Sequence, residues 1–315
     1  METKIAVLGA GAMGSLYGTM LSEAGEEVWL LNHWKEHIHA IREKGLTISS
    51  ASGDRSVFVK ATTDPTEIGQ ADLVIVFVKS YDTRDAMSGA LSLLREETMV
   101  LTLQNGLGNA EQLAEIVGER RLLAGTSGFG STVLAPGHIR HAGSGDTMLG
   151  ELSGAKTTRL EELRRVFDSA GLRPVITENL QGVVWGKLLV NVGVNPVTAL
   201  ARVKNGQILD IPELKDIMER AVGEAFEVSC RKGITLFPAG DPLEHVREVI
   251  RRTKDNVSSM RQDIEKGNQT EIDVISGAIV REGNALGVPT PVNALLMNLM
   301  KGLEKGSRNN QSKLR

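Results

Sequence analysis

Short apolar runs alternate with amphipathic stretches through the first half of the chain. Ile5-Ala6-Val7-Leu8, Val28-Trp29-Leu30-Leu31, Leu73-Val74-Ile75-Val76-Phe77-Val78 and Met99-Val100-Leu101-Thr102-Leu103 are each almost uninterrupted by polar residues. Runs this short and this apolar suit strands covered on both faces, as in a parallel sheet. Helical patterns separate them, at 13–24 and 110–117. The alternation predicts a doubly wound α/β domain. From 125 to 151 glycines crowd in around Pro136-Gly137, a turn signal between two strand-like segments. That texture predicts a β-hairpin or edge region. A helix over 160–170 and a strand over Pro174-Val175-Ile176 close this part of the chain.

Beyond about Asn179 the strand signals fade. Amphipathic helices are expected over 183–194, 214–232, 243–252, 259–265, 271–286 and 292–305. The domains expected are therefore 1–178, α/β, and 179–306, all-helical. The polar segment 307–315 is expected to fray as a tail.

Composition narrows the function classes. The 315 residues suit two domains, and 36 Lys plus Arg against 39 Asp plus Glu leave a net charge of -3. That balance gives no general pull toward nucleic acid or an anionic membrane. Aromatics at 3% leave little for base-stacking platforms. The single Cys230 excludes an intrachain disulfide and a cysteine zinc site, and its helical surroundings predict a core position. The histidines His33, His37, His39, His138, His141 and His245 show no H-E-x-x-H spacing, and His37 and His39 fall on different helix faces, so no metal site is expected. No basic leader precedes the first strand, and no apolar run approaches about 18 residues. No membrane partner is expected, and a cytoplasmic location is the default.

Two stretches carry chemistry. Gly9-Ala10-Gly11-Ala12-Met13-Gly14 follows the first strand and opens a helix, the context a dinucleotide fingerprint requires. Gly9 permits the tight turn, Gly11 lets the backbone approach a pyrophosphate, and Gly14 allows helix and strand to pack closely. The helix N-terminus offers unpaired N–H groups to the phosphates. At the end of the second strand no acid stands at 31–35 to hold a ribose 2′-hydroxyl. Asn32, His33 and Lys35 there could accept a 2′-phosphate, which points to NADP, unless they are ordinary exposed loop residues.

In the helical half, Lys187, Asn191 and Asn195 recur at i, i+4, i+8 among almost wholly apolar neighbours. Such groups inside an apolar helix are costly unless they meet partners or a ligand. Desolvation lowers a lysine's pKa and suits it to donate a proton to a carbonyl oxygen. Farther on, Thr270-Glu271 precedes an amphipathic run; from the residues alone, Glu271 is equally a first-turn helix charge or a catalytic carboxylate.

Taken with the glycine loop, further motifs resemble the ketopantoate reductase (2-dehydropantoate 2-reductase) family, in order over about residues 4–300. They are Val78-Lys79, Gln104-Asn105-Gly106, Pro136-Gly137 with His141-Ala142-Gly143, Trp185-Gly186-Lys187-Leu188 with Asn191 and Asn195-Pro196, Ser258-Ser259-Met260 with Gln262-Asp263, and Thr270-Glu271-Ile272-Asp273. The resemblance implies a Rossmann-type domain followed by an all-helical one. It implies NADPH-dependent reduction of 2-dehydropantoate to pantoate, toward pantothenate and coenzyme A, with NADPH/NADP+ as cofactor and NADH as the alternative. By the same resemblance Lys187 is the general acid and Glu271 the catalytic carboxylate. Asn191, Asn195 and Ser259 bind the small 2-oxo acid, and Asn105 and Lys79 lie toward the nicotinamide. The family usually has an Arg where this chain has Asn32-His33, and often a Gln where it has Asp82; both departures weigh against a 2′-phosphate. The apolar C-terminal helices suit a homodimer.

Two other readings compete. A hydroxyacid or glycerol-3-phosphate-type dehydrogenase would share the architecture, but the latter needs a phosphate site and no Arg cluster flanks Lys187. A non-enzymatic dinucleotide sensor would keep the glycine loop yet has no use for Lys187, Asn191, Asn195 and Glu271 together.

Overall fold

The computed structural model describes residues 2–313, and the chain divides into two compact units. The first holds the residues up to Gln104 together with Asn109–Leu180. The second holds Asn105–Gly108 and the chain from Gln181 onward. The division falls two residues beyond the expected one, and the short 105–108 loop belongs with the helices.

The strands of the first unit are β1 (Lys4–Leu8), β2 (Glu27–Leu31), β3 (Leu46–Ser50), β4 (Gly53–Val57), β5 (Lys60–Thr62), β6 (Leu73–Val76), β7 (Met99–Thr102), β8 (Leu122–Ser127), β9 (Gly130–Ala135), β10 (His138–Gly143), β11 (Thr147–Glu151) and β12 (Pro174–Ile176). Its helices are α1 (Ala12–Glu23), α2 (Lys35–Lys44), α3 (Thr83–Gly89), α4 (Asn109–Val117) and α5 (Thr158–Ser169). One sheet runs in the order β12-β11-β8-β7-β6-β1-β2-β5 and is parallel except where β11 meets β8.

Alternation along each strand explains why this sheet is apolar on both faces. Ile5, Val7, Ile75 and Leu101 pack with Leu16 and Tyr17 of α1 and Leu163 and Phe167 of α5. Their neighbours Ala6, Leu8, Val74, Val76 and Val100 pack on the other side with Met87 of α3 and Leu113 of α4. Burial on both faces is what the continuous apolar runs require.

The expected hairpin is present as β9–β10, but it belongs to a second sheet ordered β4-β3-β10-β9. Leu46, Ile48 and Ile139 of that sheet join the α1 side of the core. The sequence does not announce β4, because Gly53-Asp54-Arg55-Ser56-Val57 is mostly polar and exposed. Two strands are also shorter than their apolar runs. β6 stops at Val76, where Phe77 N–H turns to the Leu8 carbonyl, and β7 stops at Thr102.

The second unit is built from α6 (Leu180–Ala201), α7 (Gln207–Asp210), α8 (Pro212–Arg231), α9 (Pro242–Arg252), α10 (Ser259–Glu265), α11 (Ser276–Leu286) and α12 (Pro291–Lys313). Trp185, Leu188, Leu189 and Val192 of α6 form its core with Met218, Val222, Val246 and Ile279. By length and composition α6 is long and apolar enough to cross a membrane, with mean hydropathy 1.3 over an 18-residue window, although Lys187, Asn191 and Asn195 interrupt its apolar run. That window is 72% buried within the protein, so the apolarity serves the core.

The single helix expected over 271–286 is instead a 3₁₀ turn, Ile272–Val274, followed by α11, with Ile275 at φ -105, ψ -97 between them. Backbone helix in α12 continues through 307–313, part of the expected tail; 314 and 315, like Met1, lie outside the described residues. Cys230 is exposed rather than buried: Val228 and Ser229 take the core-facing positions of α8, and the next residue turns outward.

Candidate functional site

In the first unit three strand ends converge on the glycine loop. Gly9 N–H and Ala10 N–H both donate to the Leu31 carbonyl at the end of β2, at 2.9 and 3.2 Å. Gly9 has φ +101, and a Cβ there would lie 2.4 Å from Val78 N, just past β6. A Cβ on Gly14 would lie 2.3 Å from the Gly9 carbonyl oxygen. Neither position admits another residue. Gly11 differs: nothing lies within 4 Å of the Cβ it lacks, and as N-cap of α1 it offers no side-chain cap. Open space before an uncapped helix N-terminus is where a pyrophosphate fits. Ala12 and Met13 form the first turn of α1. The residues present therefore fit a dinucleotide.

The remaining predicted cofactor residues stand around this loop. Asn32 follows β2, and its Oδ1 accepts Trp34 N–H at 3.0 Å, shaping the turn into α2. His33 and Lys35 are exposed. Burial pushes the Asp82 carboxyl up, while His33 pulls it down and Asp85 pushes it up. An acid thus sits within electrostatic reach of His33. Lys79 is partly buried and leads into a 3₁₀ turn, Ser80–Asp82. Gln104, which opens the Gln104-Asn105-Gly106 motif, ties the ends of β6 and β7 together: its Nε2 donates to the Val78 carbonyl and to Thr83 Oγ1, both at 2.8 Å.

The second unit collects the polar residues. Lys187, Asn191 and Asn195 all lie on α6; Asn195 is buried and the other two are partly buried. Glycine lets α6 sit this deep. A Cβ on Gly186 would lie 2.0 Å from the Phe237 carbonyl oxygen, and one on Gly193 2.7 Å from Val222 Cγ2. Burial pushes the Lys187 ammonium down to about 8, against the opposing pull of the Glu271 carboxylate. Glu271 is 7% exposed and precedes the 3₁₀ turn without capping it, so the first-turn reading of its charge does not hold.

Neighbouring segments hold this pair in place. Thr270 N–H and Oγ1 donate to Glu304 Oε1 of α12 at 2.8 and 2.6 Å, and Lys301 pairs with Asp273 at 2.5 Å. Leu107 N–H donates to the Val274 carbonyl at 3.0 Å, and Gly106 abuts the same residue, which sets Asn105 by the Glu271 segment. Ser258 is the buried N-cap of α10, 2.7 Å from Thr198 Oγ1 of α6. Ser259, the first residue of α10, is exposed beside it. Glu304 and Thr198 carried no sequence signal, since each acts from a distant helix. No group of three or more His, Cys, Asp or Glu that could hold a metal is found among the described residues.

A parallel-sheet unit with this glycine turn, followed by a helical unit with a partly buried lysine coupled to a buried carboxylate, defines a nicotinamide-dinucleotide-dependent oxidoreductase. Residues 5–154 match the family described as Ketopantoate reductase PanE/ApbA, and 179–304 match Ketopantoate reductase PanE/ApbA C terminal. The chain belongs to the ketopantoate reductase family. It is 40% identical to the 2-dehydropantoate 2-reductase of Halobacterium salinarum, covering 95% of this chain and 98% of that one. A PanE/ApbA family ketopantoate reductase from Ralstonia eutropha superposes with TM-score 0.89 at 33% identity, over 97% of this chain and 99% of the other. D-mandelate dehydrogenase with NADH and anilino(oxo)acetate superposes with TM-score 0.88 at 28% identity, with the same coverage.

Proposed function

We propose that the protein reduces 2-dehydropantoate to pantoate with NADPH. The observation that carries the chemistry is Lys187, held in an apolar helix with its pKa down near 8 and electrostatically coupled to Glu271. The substrate is supported by the similarity to the Halobacterium salinarum enzyme. With that substrate the protein serves pantothenate and coenzyme A biosynthesis in the cytoplasm.

The reduced nicotinamide, when bound, supplies a hydride to the 2-oxo carbon. Lys187 is largely protonated at neutral pH and gives its proton to the carbonyl oxygen as negative charge develops there. Glu271 favours the charged ammonium despite its burial and accepts from the substrate hydroxyl. The Asn191 and Asn195 amides orient the carbonyl and hydroxyl, Ser259 meets the carboxylate, and Asn105 and Lys79 keep the nicotinamide end in register. Gly9 to Gly14 hold the pyrophosphate, and Asn32 with His33 the adenosine ribose.

One observation favours NADH as the alternative. Asp82 lies within the field of His33, where an added 2′-phosphate would meet a second anion. Initial rates with 2-dehydropantoate, measured in parallel with NADPH and NADH and against a panel of 2-oxo and 3-hydroxy acids, test the whole reading. Turnover of 2-dehydropantoate well above the panel is expected. Binding of either dinucleotide with no turnover on any 2-oxo acid would leave a sensor instead.

A further inference from the structure

A directional chain of hydrogen bonds runs from the β9–β10 turn into the glycine loop. Gly137 N–H donates to His37 Nδ1 at 3.0 Å. A ring that accepts at Nδ1 carries its proton on Nε2. That nitrogen lies 3.1 Å from Ser15 Oγ, and Ser15 in turn donates to the Ala10 carbonyl at 3.3 Å. His37 and Ser15 are both 0% exposed. Trp34 stacks over the imidazole, with ring centroids 4.8 Å apart and planes 10° apart. The turn itself seats on α2, since a Cβ on Gly137 would come within 2.8 Å of Ala40 Cβ.

Ala10 is the second residue of the fingerprint. Its N–H is held by the Leu31 carbonyl and its own carbonyl by Ser15. The peptide linking Ala10 to Gly11 therefore has its carbonyl end fixed by a side chain, and its other end, the Gly11 N–H at the mouth of α1, donates to the Gly9 carbonyl at 2.7 Å. Rotation of that peptide would break the Gly9–Gly11 turn and re-aim the loop amides at the mouth of α1.

We infer that His37 is a positioning residue for dinucleotide binding, acting through Ser15 on the orientation of the Ala10–Gly11 peptide. The inference rests on the glycine loop as the pyrophosphate site. Burial, which pushes the His37 pKa down to about 4, keeps the ring neutral and the tautomer intact at ordinary pH.

The test uses full-length His37→Ala, His37→Gln, His37→Asn and Ser15→Ala proteins. The readouts are NADPH and NADH dissociation constants from titration calorimetry, kcat at saturating cofactor, and thermal melts. Loss of the Ser15 link should weaken cofactor binding by about tenfold in His37→Ala and Ser15→Ala, with kcat nearly unchanged. Glutamine can place an amide nitrogen near the Nε2 position and should recover most of the affinity. Asparagine can replace only the Nδ1 acceptor for Gly137 and should recover little, even where its melt equals that of the glutamine variant. Should His37→Ala not fold, Ser15→Ala carries the same expectation with one oxygen removed. Folded variants that bind cofactor as wild type does, or equal recovery by Gln and Asn, would overturn the proposal. A wild type that binds neither dinucleotide would overturn the cofactor reading and the proposal with it.

Discussion

Raising the pH through 8 should switch off reduction while the protein stays folded. Burial lowers the Lys187 pKa from 10.5 to about 8, with Glu271 opposing. That displacement corresponds to roughly 3 kcal/mol of disfavour for the charged form. At pH 7 about nine in ten enzyme molecules then carry the proton, and at pH 9 about one in ten. If Lys187 donates that proton, kcat/KM for reduction falls about tenfold per pH unit above 8. Oxidation of pantoate needs the neutral amine and should rise over the same range. An ordinary lysine would hold reduction level to about pH 10. Glu271→Gln removes the charge that favours the ammonium, so the falling limb should move down by roughly one pH unit or more. Initial rates in both directions between pH 6 and 10 give the answer. A level reduction profile to pH 10, or a limb that moves up in Glu271→Gln, would refute the assignment.

Other perturbations read the scaffold and the cofactor pocket. Gly186→Ala places a Cβ 2.0 Å from the Phe237 carbonyl oxygen, so backbone must shift, at a cost of about 1–3 kcal/mol in urea unfolding; an unchanged midpoint contradicts the close packing. His37 is held neutral with a pKa near 4, below the 6.5 of an unfolded chain. The unfolded state therefore takes up a proton first as the pH falls, and the stability present above 6.5 drains away toward pH 4, by up to about 3 kcal/mol. Melts of wild type and His37→Gln should diverge in slope over that range, and parallel slopes would deny it. Asp82→Gln removes an anion beside His33 and should raise the NADPH-to-NADH ratio of kcat/KM by about tenfold; an unchanged ratio would place the 2′ group elsewhere.

Where apolar patterning was strong, the sequence was a reliable guide. β1, β2, β6 and β7 stand out because burial on both faces leaves no polar position in the strand. The long helices stand out because their apolar periodicity is the core itself. β3 and β4 are invisible for the opposite reason: one face of that small sheet is wet, and Gly53 to Ser56 carry nothing to bury; β5, at the edge of the large sheet, is too short at three residues to stand out. The glycine loop and the Lys187-Asn191-Asn195 row were legible because each is local, set by spacing within one turn or one helix. Glu271 is ambiguous in the sequence, since first-turn carboxylates are common; the structure adds that it is buried and acts electrostatically on Lys187. Glu304 and the Ser15–His37 link are not legible, because each joins segments whose meeting depends on the finished fold. Cys230 was misplaced by one helical step, about 100°, which is enough to turn a core position outward.

In the proposed mechanism one desolvated lysine, Lys187, supplies the proton for 2-oxo acid reduction. The most direct measurement is 2-dehydropantoate-dependent NADPH oxidation by Lys187→Ala beside wild type, with NADPH affinity determined on both. Expected are an active wild type, turnover lower by orders of magnitude in the variant, and nearly equal cofactor affinity. A variant that retains wild-type turnover would contradict it.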